Sequence, residues 1–206
     1  DRNSGGADLN YTDDDLDSYE TIWDGEVTKT NQADHERVVK ALKNIAAGND
    51  LETYMDIDNL LRYMAVHVFS VNEDSLSGTM AHNYYLYESD GKLNLIPWDY
   101  NLALGGMGGM GGGMPGGSGE TEENSGATSV VNSPIDDAFS GTDFFDTLLE
   151  NETYHSQYEA YLQQLVSEYI NGGGFDAFYE RVRSQIDELA ETDPTAFYSY
   201  DEYETA

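Results

Sequence analysis

Apolar residues in the first half of the chain recur at helical spacing in two places. Val38, Val39, Leu42 and Ile45 fall on one face of a predicted helix over 33–47, and Gly48 supplies its stop. A second helix is predicted to begin at Asp56-Ile57-Asp58, with aspartate as its cap, and to run through Leu60, Leu61, Met64, Val68 and Phe69. Those apolar residues crowd most of its circumference, so it should be central, with His67 a hydrogen-bonded core residue assigned no chemistry. The period then changes to that of strands. Tyr84-Tyr85-Leu86-Tyr87 and Leu93-Asn94-Leu95-Ile96 read as two strands, and Ser89-Asp90-Gly91-Lys92 between them carries the Asp-Gly signal of a tight turn. Pro97 cannot donate to a ladder, so the second strand should stop there and present Asp99 at its exit.

The last third reads as helical: Asp143 to Leu149, Thr153 to Ile170, and Phe175 to Leu189 after the Gly172-Gly173-Gly174 break, closed by Asp193-Pro194. Tyr154, Tyr158, Tyr161, Leu162, Leu165 and Tyr169 form a stripe expected to pack as core. Residues 7–30 look irregular and hairpin-like. Gly105 to Gly119 is of low complexity, and such a run cannot offset the entropy of a fixed conformation, so a flexible loop is expected over 105–128. It contains no Lys or Arg and no Gly-Lys-Ser/Thr, which excludes a Walker-type phosphate loop. Val130-Val131-Asn132-Ser133-Pro134-Ile135 should resume extended structure.

Composition narrows the function classes. The 206 residues hold 40 acidic against 9 basic side chains, a formal net charge of −31, and such a surface repels nucleic acid and anionic membranes. It fits a need for cations or a solvated acidic exterior. No cysteine is present, which excludes disulfides, thiolate zinc sites and a cysteine nucleophile. No apolar run approaches the roughly 20 residues that span a bilayer, so no membrane insertion is expected. Asp13, Asp15, Asp17 and Asp24 loosely match a calcium-binding loop, with Ser18 where glycine belongs and Asp24 where the final glutamate belongs. Structural calcium and a plain acidic surface are both readings of that cluster. The opening Asp1-Arg2-Asn3-Ser4-Gly5-Gly6, without methionine, reads as a processed or excerpted piece.

The chemistry concentrates around the predicted hairpin, where Asn72, Asp74, His82, Asn83, Asp99 and Asn101 gather at its entry and exit. A hairpin brings its ends together, so Asn83 and Asp99 should be neighbours. An amide oxygen beside a carboxylate is a hard oxygen pair suited to a magnesium ion that holds phosphates. Asp74 would then orient or deprotonate an incoming hydroxyl, the same order of parts that protein kinases use. Asn and Asp are also ordinary turn residues, and a plain turn is the competing reading. His82 is equally readable as a neutral hydrogen-bonding residue.

Taken together, Val71-Asn72-Glu73-Asp74-Ser75, Gly78, His82-Asn83-Tyr84-Tyr85-Leu86-Tyr87, Gly91-Lys92 and Ile96-Pro97-Trp98-Asp99-Tyr100-Asn101-Leu102-Ala103 resemble the spore coat protein H (CotH) kinase family, in its bacterial members. The resemblance runs from about Ala7 to Asp193-Pro194-Thr195-Ala196-Phe197. It implies an α+β, atypical protein-kinase-like fold: a mainly helical C-terminal lobe with a β-hairpin that carries the metal site. On this reading 1–206 is a partial domain, with 7–104 the catalytic core portion, 105–128 the loop and 129–206 the helical remainder, and its N-terminal lobe is missing. The implied activity is ATP- and Mg²⁺- or Mn²⁺-dependent phosphorylation of Ser or Thr in secreted, coat or surface proteins, outside the cell or on its surface. Asp74 matches the catalytic aspartate and Asp99 the metal-binding one, with Asn83 as second metal ligand and Asn101 as a further cofactor-binding residue. A non-catalytic surface adhesion module is the alternative within the same family. Two departures stand out. Leu93 occupies a position where relatives often carry a tryptophan against the adenine, and the phosphate-contacting Lys or Arg of a kinase has no obvious counterpart, since Lys29 carries no motif.

Overall fold

The structure, a computed structural model, describes residues 6–72, 74–76, 81–103, 135–136 and 141–205. The expected 105–128 loop and the extended stretch before Ile135 lie outside the described residues. The chain divides into two compact units, Asp1–Leu162 and Gln163–Ala206.

In the first unit, α2 (Gln32–Ala46) begins where Asn31 accepts from the Ala33 amide and Asp34 accepts from the Asn31 amide, a reciprocal cap. It ends at Gly48, whose φ of 66° is left-handed. After a single turn, α3 (Leu51–Tyr54), Asp56 caps α4 (Ile57–Phe69) by accepting from the Asn59 amide at 3.1 Å. The expected caps and apolar faces of both long helices are observed, with Val39, Leu42, Ile45, Leu60, Leu61 and Met64 all buried. Each such side chain contributes about 1.5–3 kcal/mol by leaving water. α5 (Asp143–Leu149) inserts Phe144, Phe145 and Leu148 against α2 and α4. Its first amide is capped from far away, Asp143 N–H donating to the Asn10 side chain at 2.8 Å.

The hairpin pairs β1 (Tyr84–Ser89) with β2 (Lys92–Pro97) antiparallel, Leu86 opposite Leu95 and Tyr85 opposite Ile96. Asp90 and Gly91 have φ of 53° and 80°, the two left-handed residues of a tight hairpin turn. Leu93 and Leu95 face the core, and the outer edge of β2 is satisfied by α4. Asp56 N–H donates to the Leu93 carbonyl, while the Asn59 amide both accepts from Leu95 N–H (2.8 Å) and donates to Leu95 C=O (3.2 Å). The hairpin and α4 are thereby locked in register.

Residues 7–30 are not hairpin-like. Leu16–Tyr19 is a 3₁₀ turn capped by Asp15, followed by α1 (Glu20–Trp23). Side chains dictate this path: the Tyr19 hydroxyl accepts from the Thr12 and Asp13 amides, and the Trp23 indole donates to the Leu16 carbonyl. The tyrosine stripe also differs from expectation. In α6 (Glu152–Gln164) only Tyr158 of the stripe is buried, its hydroxyl donating to the Ile135 carbonyl. Tyr154 and Tyr161 instead donate to Glu52 and Asp58, because a phenol can lie half-exposed when its tip reaches a carboxylate.

In the second unit the helical path continues as a π-helical turn, Leu165–Ile170, then turns through Gly172 and Gly173 into α7 (Gly174–Thr192). A side chain at 172 would meet the Glu168 carbonyl at 2.3 Å. Here α8 (Tyr200–Thr205) is tied to α7 by Tyr200 hydroxyl to Asp187 and by Arg183 to Glu204. None of α7 is buried, so its apolar stripe is amphipathic without being core. Among the described residues no helix is long and apolar enough to cross a membrane.

Candidate active site

The site is assembled where α4 ends and the hairpin begins. The α4 C-terminus closes with Asn72 N–H bonded to the His67 carbonyl at 3.0 Å, after Val71 at a left-handed φ of 49°. The Ser75 hydroxyl donates to the Asn72 carbonyl at 2.7 Å, directly after Asp74. Asn83 then reaches back, its Nδ2 donating to both the Asp74 carbonyl (2.9 Å) and carboxylate Oδ2 (2.8 Å). The other oxygen, Oδ1, is buried without a hydrogen bond. His82 Nδ1 stands 3.9 Å from it.

The hairpin's exit returns to the same place, since Trp98 N–H donates to the Asn83 carbonyl at 2.9 Å and Asp99 follows directly. Asp99 accepts from the Asn101 amide at 3.1 Å and makes no hydrogen bond to Asp74 or Asn83 among the described residues. The structure therefore bonds Asn83 to Asp74 side chain to side chain, with His82 Nδ1 3.9 Å from Asp74. It brings Asp99 and Asn101 to them through the backbone. Val71, Ala81, Asn83 and Asp99 all hold positive φ, four of the seven non-glycine residues that do so among the described residues. Such positions cost about 1–3 kcal/mol each and gather where geometry is over-determined.

Asn72 lies beneath, 2% exposed, and neither of its side-chain polar atoms has a hydrogen bond. His67 is a core residue as expected, its Nδ1 bonded to the Tyr63 carbonyl at 2.8 Å and its Nε2 buried and unbonded. Burial holds its imidazole down at about 4, against an ordinary 6.5. The unfolded chain then takes up this proton between about pH 6.5 and 4 while the folded chain does not, so stability falls as pH falls through that window. The loss approaches about 3 kcal/mol. Urea unfolding at pH 7 and pH 4.5 should show a smaller difference for His67→Phe than for the wild type.

A cavity of about 790 Å³ opens beside Asn83 and His82, walled by β1, the segment 21–30 and the start of α2. On its far wall Trp23 stacks on His35 with ring centres 3.9 Å apart and planes parallel. His35 Nε2 meets Glu26 (2.5 Å) and the Thr30 hydroxyl (2.9 Å), and the Thr30 hydroxyl, then His35, hold the Glu26 carboxyl below its usual range. Lys29, which no motif singles out, lines this cavity; Arg37, by contrast, is engaged by Glu88 and Asp34. Leu93 also lines it but is 1% exposed and belongs to the core. Nothing local in the sequence marks Trp23 or His35, whose partnership depends on the 23–35 path.

Among the described residues no three His, Asp or Glu side chains converge as a metal cluster. The proposed calcium loop is accounted for otherwise: Asp13 and Asp15 accept from amides two residues on, and Asp14 pairs with Lys43 at 2.6 Å. Asn83 and Asp99 do suit a magnesium-type ion, which takes one or two protein oxygens and completes its shell with phosphate and water. Asn83 spends its amide nitrogen on Asp74, which leaves its amide oxygen for that use.

The family model for CotH kinase protein matches residues 2–206. The chain belongs to the CotH kinase family. No curated protein and no solved structure matches it. Membership of the CotH kinase family points to a kinase-like function. Among the described residues, helices and one small two-stranded sheet make an architecture compatible with an α+β fold.

Proposed function

We propose that this chain carries the base and metal residues of a protein kinase, which transfers the γ-phosphoryl group of ATP to Ser or Thr of secreted, spore-coat or surface proteins. The observation that carries this is the Asn83–Asp74 bond at the mouth of a hairpin whose exit sets Asp99 beside the Asn83 backbone. Asp74, held on one oxygen and bare on the other, takes the proton of the incoming hydroxyl as that oxygen bonds to phosphorus and the bond to ADP breaks. Asn83 and Asp99 would hold Mg²⁺ or Mn²⁺, which supplies charge neutralisation to the transferring group. The cavity beside Asn83 is the place for the nucleotide, with Trp23 as its flat wall and Lys29 as its cation. A phosphate-facing lysine is the contribution most lacking in so acidic a chain.

Calorimetry of ATP with Mn²⁺, on this chain and on a version extended upstream, tests the reading. Asp99→Ala should weaken Mn²⁺-dependent binding at least about tenfold, and Lys29→Met should weaken binding by about 1–2 kcal/mol, a charge-assisted phosphate contact. Absence of nucleotide binding in both forms of the wild type would overturn it.

A further inference from the structure

We propose that the Tyr63–His67–Tyr100 ring contacts, stacked between Tyr63 and His67 and tilted by 32° between His67 and Tyr100, position Asp99, with His67 the residue that fixes its direction. This rests on the reading of Asp99 as a metal ligand. Three rings run from the core to the hairpin's exit: Tyr63 and His67 have centroids 3.9 Å apart, and His67 and Tyr100 5.2 Å. Behind Tyr63 stands Phe145, at 6.0 Å and nearly parallel. Tyr100 is thus the outer end of a column rooted in α4 and α5.

The column matters because of where Tyr100 sits. Asp99 holds a φ of 48°, which a non-glycine residue keeps only when its surroundings impose it. On one side the Trp98–Asn83 backbone bond pins the chain, and Trp98 itself turns outward onto Tyr85. On the other side the Tyr100 carbonyl accepts from Ala103 N–H, a bond internal to the loop, and among the described residues the Tyr100 ring reaches the core at His67. Asp99 is held between these two points.

His67 is placed to set the ring plane. The Tyr63 carbonyl can only accept, so Nδ1 carries the proton and the imidazole is fixed along α4. The same tautomer leaves Nε2 as a buried acceptor with no bond, a cost that phenylalanine would avoid. What the imidazole supplies in return is a locked face for Tyr100. His67 and Tyr100 touch neither substrate nor metal; both act through Asp99, as supports behind a ligand do.

The test is Mn²⁺ affinity in the presence of ATP, read by electron paramagnetic resonance, for the wild type and for Asp99→Ala, Tyr100→Leu, Tyr100→Phe and His67→Leu. Tyr100→Leu and His67→Leu should each weaken Mn²⁺ binding by about 10–100-fold, the usual effect of losing a ligand's support. Tyr100→Phe, which keeps the ring, should bind as the wild type does. If Asp99→Ala loses metal while the two leucine variants bind normally, the positioning role is overturned and the metal reading stands. If Asp99→Ala binds as tightly as the wild type, the metal reading fails and this inference fails with it. Should His67→Leu not fold, the Tyr100 pair decides alone, since that ring is 37% exposed and its loss leaves the core intact.

Discussion

Asp74→Asn should lower the rate of phosphoryl transfer by about 10²–10⁴-fold, the range that a positioned general base contributes, while ATP and Mn²⁺ bind as before. Asparagine keeps the shape of the side chain and an oxygen able to accept from Asn83, so the Asn83 orientation survives. What disappears is the buried, unbonded Oδ1 that takes the proton. Single-turnover transfer to an acceptor protein, alongside calorimetry of ATP, separates the two effects. A variant that binds ATP normally and transfers at the wild-type rate would remove Asp74 from the base role. His82 gives the contrast: at 3.9 Å it lies beyond hydrogen-bond reach of Asp74, so His82→Ala should change the rate far less.

The elements that specify themselves locally were legible from residues alone. Asp90-Gly91 announced the hairpin because that pair accepts left-handed backbone, and Asp56 and Gly48 marked helix ends for equally local reasons. The meeting of the hairpin's two ends was legible for the same cause, since antiparallel pairing makes neighbours of residues 83 and 98 once the turn is placed. What escaped depends on partners distant in sequence. The Trp23–His35 wall requires the 3₁₀ path that Tyr19 and Trp23 impose through their own backbone bonds, which no periodicity signals. Lys29 carries meaning only through that cavity. The Asp13–Asp17 run left two readings open because carboxylates two apart serve adjacent amides as readily as a metal; Asp13 and Asp15 accept from such amides, and no metal cluster forms among the described residues. The stripe from Tyr154 to Tyr169 misled in another way: helical spacing of apolar residues predicts amphipathicity, whereas burial depends on what lies opposite, and only Tyr158 of the stripe is buried.

Asn59 carries the second large effect, and it shows how closely fold and site are joined. Its amide occupies the outer edge of β2 as a third strand would, accepting from Leu95 N–H and donating to Leu95 C=O, and Leu95 is fully buried. In Asn59→Ala both backbone groups lose their partner in a place water does not reach. Each buried unpaired polar group costs about 1–3 kcal/mol, so the loss should total about 2–6 kcal/mol. For a chain of this size that lowers the melting temperature by on the order of 10 °C, readable by circular dichroism. Asn59→Leu should be no better, since added apolar contact cannot satisfy an amide and a carbonyl at once. Stability is only half of the expectation. The Asn59–Leu95 bonds set the register between α4, whose C-terminal end leads towards Asp74, and β2, which ends at Pro97 two residues before Asp99. Freed of them, the hairpin can shift along α4 and separate the two carboxylates while each keeps its local bonds to Asn83 and Asn101. The variant should therefore lose Mn²⁺-dependent ATP affinity at temperatures well below its own melting point, and a variant that merely melts earlier with unchanged affinity would show that β2 is held in register by Leu93 and Leu95 packing alone.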